Sequence, residues 1–384
     1  MKVCRPLVVI GLLWSLLLNA AYAGDRFSVV FLEPDDSRFW ALVSGFMHAV
    51  ADDLEIELEV VTDHERHRLS YLQLAEQVLE RPSRPDYLVF MCKENVTARM
   101  LTLAHDAGVK VFTINTDIPA GAREKVGLPR ERLDGWIGHL APDNITAGRT
   151  LARMLAQKAS GLSTSENAGP PSMIGLSGTR DSSASKDRDL GLMQEVDQNR
   201  MKLSQLVHAD WSADEAAAKS AVLLQRYPQT TLIWSASDGM ALGAIEAAKR
   251  VGRAPGKDLL VGGVDWEPRA LEAIRQGDLE VSLGRHFMGG GLLLLLLNDY
   301  HRGHDFVLNT PVLSYQLEPA TRANIARVER ILDPLNWQRV DFNQFSMAAS
   351  SERSAGGRSA NELMDAITGA LAAGSSAEQW AQKD

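Results

Sequence analysis

Cysteine is almost missing from this chain: Cys4 and Cys92 are the two among 384 residues. Cys4 falls in a segment expected to be removed, so no intramolecular disulfide is available and stability must come from a packed core. A basic excess is missing too, with 40 Lys and Arg against 49 Asp and Glu and a net charge of −9. That argues against nucleic acid and anionic lipid as partners, since both select basic surfaces. Beyond residue 23 no apolar run reaches spanning length. The six leucines Leu292 to Leu297, closed by Asn298 and Asp299, fit a buried helix. Catalytic signatures are absent as well: no Gly-x-Ser-x-Gly, His-Glu-x-x-His, Walker loop or Gly-x-Gly-x-x-Gly after a strand. Gly289, Gly290 and Gly291 lack the Lys-Ser/Thr that would make them a phosphate loop, and the nine histidines show no metal-ligand spacing. Cys92, without a second cysteine, reads as a core thiol. No enzyme activity, metal or cofactor is expected.

What is present begins with residues 1–23. Lys2 and Arg5 precede an apolar stretch at 8–18, and Ala21 and Ala23 put small residues at −3 and −1 of a cut before Gly24. This is the layout of a secretory signal peptide, which predicts export to the periplasm with no membrane insertion after cleavage. Loss of Lys2 and Arg5 takes the net charge from −9 to −11. The remainder is long enough for two ordinary domains.

Short apolar runs then alternate with helical patterns. Strands are expected at 27–32, 56–61, 87–91, 109–114 and 136–140, with helices at 39–54, 69–79, 98–107 and 144–158. After a Ser, Gly and Pro-rich loop at 159–171 the rhythm resumes, with strands at 173–176, 203–207, 231–234, 259–264 and 280–283. Near-continuous apolar strands between helices predict an α/β fold of two lobes with parallel sheets covered on both faces. Residues 347–376, rich in Ser, Ala and Gly apart from a weak helical pattern at 361–371, read as a mobile tail or a short docking helix.

Several segments carry a family resemblance: Asp36-Ser-Arg-Phe-Trp40, Asp86-Tyr-Leu-Val-Phe90, Lys186-Asp-Arg-Asp-Leu-Gly191, Ser237-Asp-Gly-Met-Ala-Leu-Gly-Ala244 and Val261-Gly-Gly-Val-Asp265. Their order and separations resemble the type I periplasmic solute-binding proteins, typified by ribose and galactose binders, over residues 26–345. A weaker likeness to the autoinducer-2 receptor class rests on Ile114-Asn-Thr116, Gln276-Gly-Asp-Leu279, Arg285 and the ending Val340-Asp-Phe-Asn-Gln-Phe-Ser346. The resemblance implies two Rossmann-like lobes joined by three crossings, near 138–141, 283–285 and 312–315. The division it implies is 1–23 signal peptide, 24–140 plus 286–312 first lobe, 141–285 plus 313–346 second lobe, and 347–384 flexible tail. It further implies a monomer that holds a small sugar-like ligand in the cleft. The partner would be a membrane ABC permease or, alternatively, a membrane sensor kinase or cyclase.

A sugar offers hydroxyls at its edges and C–H faces above and below, so its site needs planar aromatics and fixed polar groups at strand ends. The resemblance places Ser37, Phe39, Trp40 and Asn115 on the first lobe, with Trp40 favoured for stacking. It places Asp143, Arg188, Trp211, Ser237, Asp238 and Asp265 on the second. Asp238 has a competing reading as a helix cap. Arg285 stands where ribose binders carry Gln or Asn. A second guanidinium beside Arg188 would favour an anionic or borate-carrying ligand, unless Arg285 pairs with an acid such as Asp265 or Glu267.

Overall fold

The computed structural model describes residues 26–67, 69–162, 170–198, 201–348 and 358–374. The expected signal peptide lies outside them. The first half runs β1 (Ser28–Glu33), α1 (Arg38–Asp53), β2 (Glu57–Thr62), α2 (Ser70–Leu79), β3 (Tyr87–Met91), α3 (Thr97–Asp106), β4 (Lys110–Ile114), α4 (Ala120–Val126) and β5 (Trp136–Pro142). The second runs α5 (Asn144–Leu162), β6 (Ser172–Ser177), α6 (Ser183–Gln198), β7 (Lys202–His208), α7 (Ala213–Arg226), β8 (Thr230–Ser235), α8 (Asp238–Arg250), β9 (Leu260–Val264), α9 (Pro268–Gln276) and β10 (Val281–Gly284). The chain closes with α10 (Gly289–His301), β11 (Val312–Tyr315), β12 (Glu318–Ala320), α11 (Ile325–Leu332), α12 (Pro334–Trp337) and α13 (Ala360–Ala373).

The strands form two six-stranded sheets, ordered β11-β5-β4-β3-β1-β2 and β12-β10-β9-β8-β6-β7. All pairs are parallel except β10 with β12. Strands such as β6 and β9 are buried along their whole length, because helices cover both sheet faces. The six leucines lie buried in α10, which packs on α1. Gly290 and Gly291 allow that approach, since a Cβ there would stand 2.5 Å from Met47 and from Phe46. Cys92 is a buried thiol, its pKa pushed up to about 12 by burial.

From strand to strand the chain passes between the sheets three times, at Asp143, at Arg285 and at Gln316 to Leu317, and a fourth passage between the lobes follows α11. Two stretches depart from the expected division. β11 pairs with β5 in the first sheet, so the third crossing comes after Tyr315. After α11, which packs on α9, the chain returns to the first lobe rather than staying on the second. Trp337 and Phe342 set their rings edge-on to Phe46 at 5.4 and 5.7 Å, and the Phe342 N–H donates to Asp53 at 2.7 Å. Aromatic surface, which the alternating pattern does not register, decides that return. Within the expected tail, the docking-helix alternative is the one seen. Residues 360–373 are a helix with a capping box between Ser359 and Glu362, and its Leu363, Met364, Ile367 and Leu371 are buried.

The tightest helix pair is α5 on α6. A Cβ on Gly191 would lie 2.0 Å from the Ile145 carbonyl oxygen, and one on Gly148 would lie 2.0 Å from that of Arg188. Backbone against backbone leaves nothing to yield, and the contact fixes the turn that carries Arg188. We expect Gly191→Ala to lower stability by about 2–3 kcal/mol, measured by urea unfolding. A loss below about 0.5 kcal/mol, the range of a surface change, would contradict this packing.

Candidate functional site

Parallel α/β sheets bind ligands beyond the carboxyl ends of their strands. Here those ends carry backbone that L-residues rarely adopt: Asn115 after β4 (φ 73°), Trp211 after β7 (60°), Asp265 after β9 (136°) and Arg285 after β10 (79°). Such strain persists where the surroundings over-determine it, commonly at binding sites. The two rims also meet. Lys186 on α6 pairs with Glu94 at 3.0 Å, and the Ser183 hydroxyl donates to the Asp117 carbonyl at 3.4 Å.

Arg188 is 4% exposed and held on two sides, its Nε donating to Asn144 Oδ1 at 2.8 Å and its Nη1 to the Ala236 carbonyl at 2.6 Å. Its Nη1 lies 3.9 Å from Asp265 Oδ1, and its guanidinium stands 5.9 Å from the centre of the half-buried Trp211 ring. Burial lowers the Arg188 pKa, with Asp265 the largest opposing influence. Asp265 Oδ1 also meets His286 Nε2 at 3.2 Å. His286, in the 3₁₀ turn His286–Met288, is fully enclosed; burial lowers its pKa more than Asp265 raises it, so it is neutral and donates. Phe39 stacks on the other side of this link, 4.6 Å from the His286 ring at 29°. One imidazole thus joins Phe39 of the first lobe to Asp265 of the second.

The remaining sequence candidates divide. Asn115 ends β4 half-buried, its Nδ2 facing Met91 Sδ at 3.9 Å. Trp40 is buried against Phe31 and Phe39, so Phe39 is the member of that pair which reaches the hinge. Ser37 is exposed at the start of α1, with its N–H donating to Asp35. Asp143 caps α5 by accepting from the Thr146 N–H at 2.9 Å. Ser237 caps α8 by accepting from the Met240 N–H at 3.3 Å. Asp238 is therefore neither the cap nor a free arm. Its Oδ2 accepts from the Ser282 hydroxyl at 2.7 Å and the Glu267 N–H at 3.0 Å. Burial, reinforced by Asp265 and Glu267, raises its pKa well above the usual range and so favours its neutral form.

Arg285 is the largest correction. Its positive φ turns the side chain away from Asp265. Nε donates to the Gln316 carbonyl at 2.7 Å, and Nη1 to Glu318 at 2.8 Å and Asp365 at 2.6 Å. The acids it pairs with are neither Asp265 nor Glu267. With Arg285 taken up elsewhere, the second cation beside Arg188 on which the expectation of an anionic ligand rested is gone. The sequence reading missed His286 and Asn144. His286 could have been flagged by its place in the second crossing.

Glu267 adds a pH dependence. Burial, then Asp265, raises its pKa from 4.5 to about 7. The folded chain thus holds this proton more tightly than the unfolded chain, so its stabilising contribution is complete below about pH 4.5 and is lost as pH rises through 7. We expect Glu267→Gln to match wild type near pH 4 and to exceed it by about 1–3 kcal/mol near pH 8. Denaturant melts of both at each pH read the difference, in which the opposing titration of His286 cancels. A difference that is the same at both pH values would contradict the assignment.

Comparisons with known proteins agree with this geometry. A family model described as a periplasmic binding protein domain matches residues 27–286. The ribose import binding protein of Salmonella typhimurium is 24% identical over 285 residues, 74% of this chain and 87% of the relative. The D-ribose/D-allose-binding protein of Pseudomonas aeruginosa is 25% identical over 207 residues, 53% of this chain and 59% of the relative. A crystal structure of a periplasmic sugar-binding protein from Pseudomonas fluorescens superposes with a TM-score of 0.76 at 32% identity, over 85% of this chain and 96% of that one. Neither the family match nor these relatives carry the autoinducer-2 receptor likeness.

Proposed function

Because the chain belongs to the periplasmic binding protein family, we propose that it captures a neutral sugar between its lobes and delivers it to the membrane permease of an ABC importer. The observation that carries this reading is the balanced pair at the cleft. Asp265 accepts from sugar hydroxyls and Arg188 donates to them, while burial pushes His286 and Asp238 each towards its neutral form. A carboxylate and a guanidinium 3.9 Å apart neutralise each other, so a ligand that brings hydroxyls and no net charge completes them best. Phe39 and Trp211 supply apolar faces, and Asn115 adds a donor and acceptor from the first lobe. The names of the relatives, which bind ribose and allose, support the sugar class. In this reading the leader at 1–23 is removed on export and the mature chain works as a periplasmic monomer that binds without turning its ligand over.

Titration calorimetry against ribose, allose, arabinose, galactose and fructose tests the reading. One of these is expected to bind with Kd about 1 μM or tighter. Asp265→Asn, which keeps the shape and removes the charge, is expected to weaken that sugar by at least about 100-fold. A wild-type chain that binds none of them, or a variant within about tenfold of wild type, would contradict the proposal.

A further inference from the structure

The C-terminal helix α13 lies where two of the three crossings meet. Asn361 Oδ1 accepts from Arg285 Nη2 at 3.2 Å, on the second crossing, and from the Gln316 N–H at 2.9 Å, on the third. Asp365 Oδ1 accepts from Arg285 Nη1 at 2.6 Å, while its Oδ2 accepts from Asn361 Nδ2 at 3.1 Å. The guanidinium is 2% exposed and also ties Gln316 to Glu318, and Glu318 in turn accepts from Arg327 at 2.8 Å. The apolar face of α13 reaches both bodies. It packs on α10 and β11, which belong with the first sheet, and on α11, which packs against α9 of the second lobe. The Ala372 carbonyl accepts from Arg330 of α11 at 2.7 Å.

We propose that Asn361 and Asp365 are positioning residues for ligand binding, and that α13 acts through Arg285 as a strap that limits how far the lobes open. Opening rotates one lobe against the other about the crossings. In this proposal the contacts of α13 with α10 and β11 on one side and with α11 on the other are the ones stretched as that rotation grows. Those contacts are complete in the arrangement in which Lys186 reaches Glu94 across the rims. Anything stabilised there and lost on opening lowers the free energy of the binding-competent form, and a ligand then spends less of its binding energy on closure. Asp365 is itself half-exposed, which keeps its pairing moderate and leaves the strap yielding rather than locked.

This rests on the sugar-binding reading only for its affinity arm. The experiment uses the full chain with Asn361→Ala and Asp365→Ala combined; neither residue belongs to the ligand set. X-ray scattering without ligand is expected to give a larger radius of gyration than wild type. Calorimetry and stopped flow with the sugar that wild type binds are expected to show affinity lower by about five- to fiftyfold, carried by a faster off-rate. Asp365→Glu, which restores a carboxylate, is expected to recover most of the loss. A merely structural helix would lower the melting temperature and leave radius and off-rate alone, which would overturn the strap. If the double variant is unfolded, Asp365→Asn alone keeps the cap and the apolar face and carries the same expectation. Should wild type bind no sugar, the ligand-free radius still decides the strap while the functional reading fails separately.

Discussion

The desolvated pair of Arg188 and Asp265 constrains everything around it. A guanidinium 4% exposed and a carboxylate 6% exposed survive burial only if each is answered by charge or hydrogen bonds from every direction. The fold meets that demand with fixed groups. Asn144 and the Ala236 carbonyl hold Arg188, His286 holds Asp265, and the glycine-tight contact of α5 with α6 leaves the Arg188 turn no freedom to drift. In the proposed sugar-binding role, what remains of their bonding capacity is what a polyhydroxylated ligand would take up.

The same logic explains why neighbouring acids do not compete. Three carboxyl groups, Asp238, Asp265 and Glu267, lie at the ends of the second sheet. Burial pushes both members of the flanking pair towards the neutral form, Asp238 well above the usual carboxylate range and Glu267 to about 7. Asp265 is the member of the three paired with cationic Arg188 and with the His286 donor. Asp265 is therefore the member of the cluster whose charge is met directly by a cation, while Glu267, at about 7, is partly ionised near neutral pH. Two adjacent residues take different partners: His286 meets Asp265, and Arg285, in left-handed backbone, bonds Gln316 and Asp365.

Much of the architecture was legible in the chain. The strand–helix alternation and the buried leucine helix follow from near-continuous apolar runs and helical spacing, and the family resemblance, carried by short motifs, placed Arg188, Trp211 and Asp265 at or behind strand ends. Three features were not legible, each for its own physical reason. Side-chain direction at Arg285 depends on φ, which sequence does not disclose for a non-glycine residue, and its partner Asp365 lies 80 residues further on. The choice between Ser237 and Asp238 as helix cap is a one-residue question of register, settled by the pull of Ser282 on Asp238. The return of Trp337 and Phe342 to the first lobe depends on aromatic packing with Phe46 across nearly 300 residues of chain. By contrast, α13 had a signal that composition masked: Ser359 and Glu362 form a capping box ahead of Leu363, Met364, Ile367 and Leu371 at helical spacing.

The central claim is that ligand is held by Asp265 and Arg188 while Arg285 serves the hinge. A crystal structure of the chain with its sugar bound tests this most directly. The account predicts sugar hydroxyls within hydrogen-bond distance of the Asp265 carboxylate and the Arg188 guanidinium, with Arg285 still on Asp365 and Gln316. Sugar bonded to Arg285, or seated away from Asp265, would contradict it.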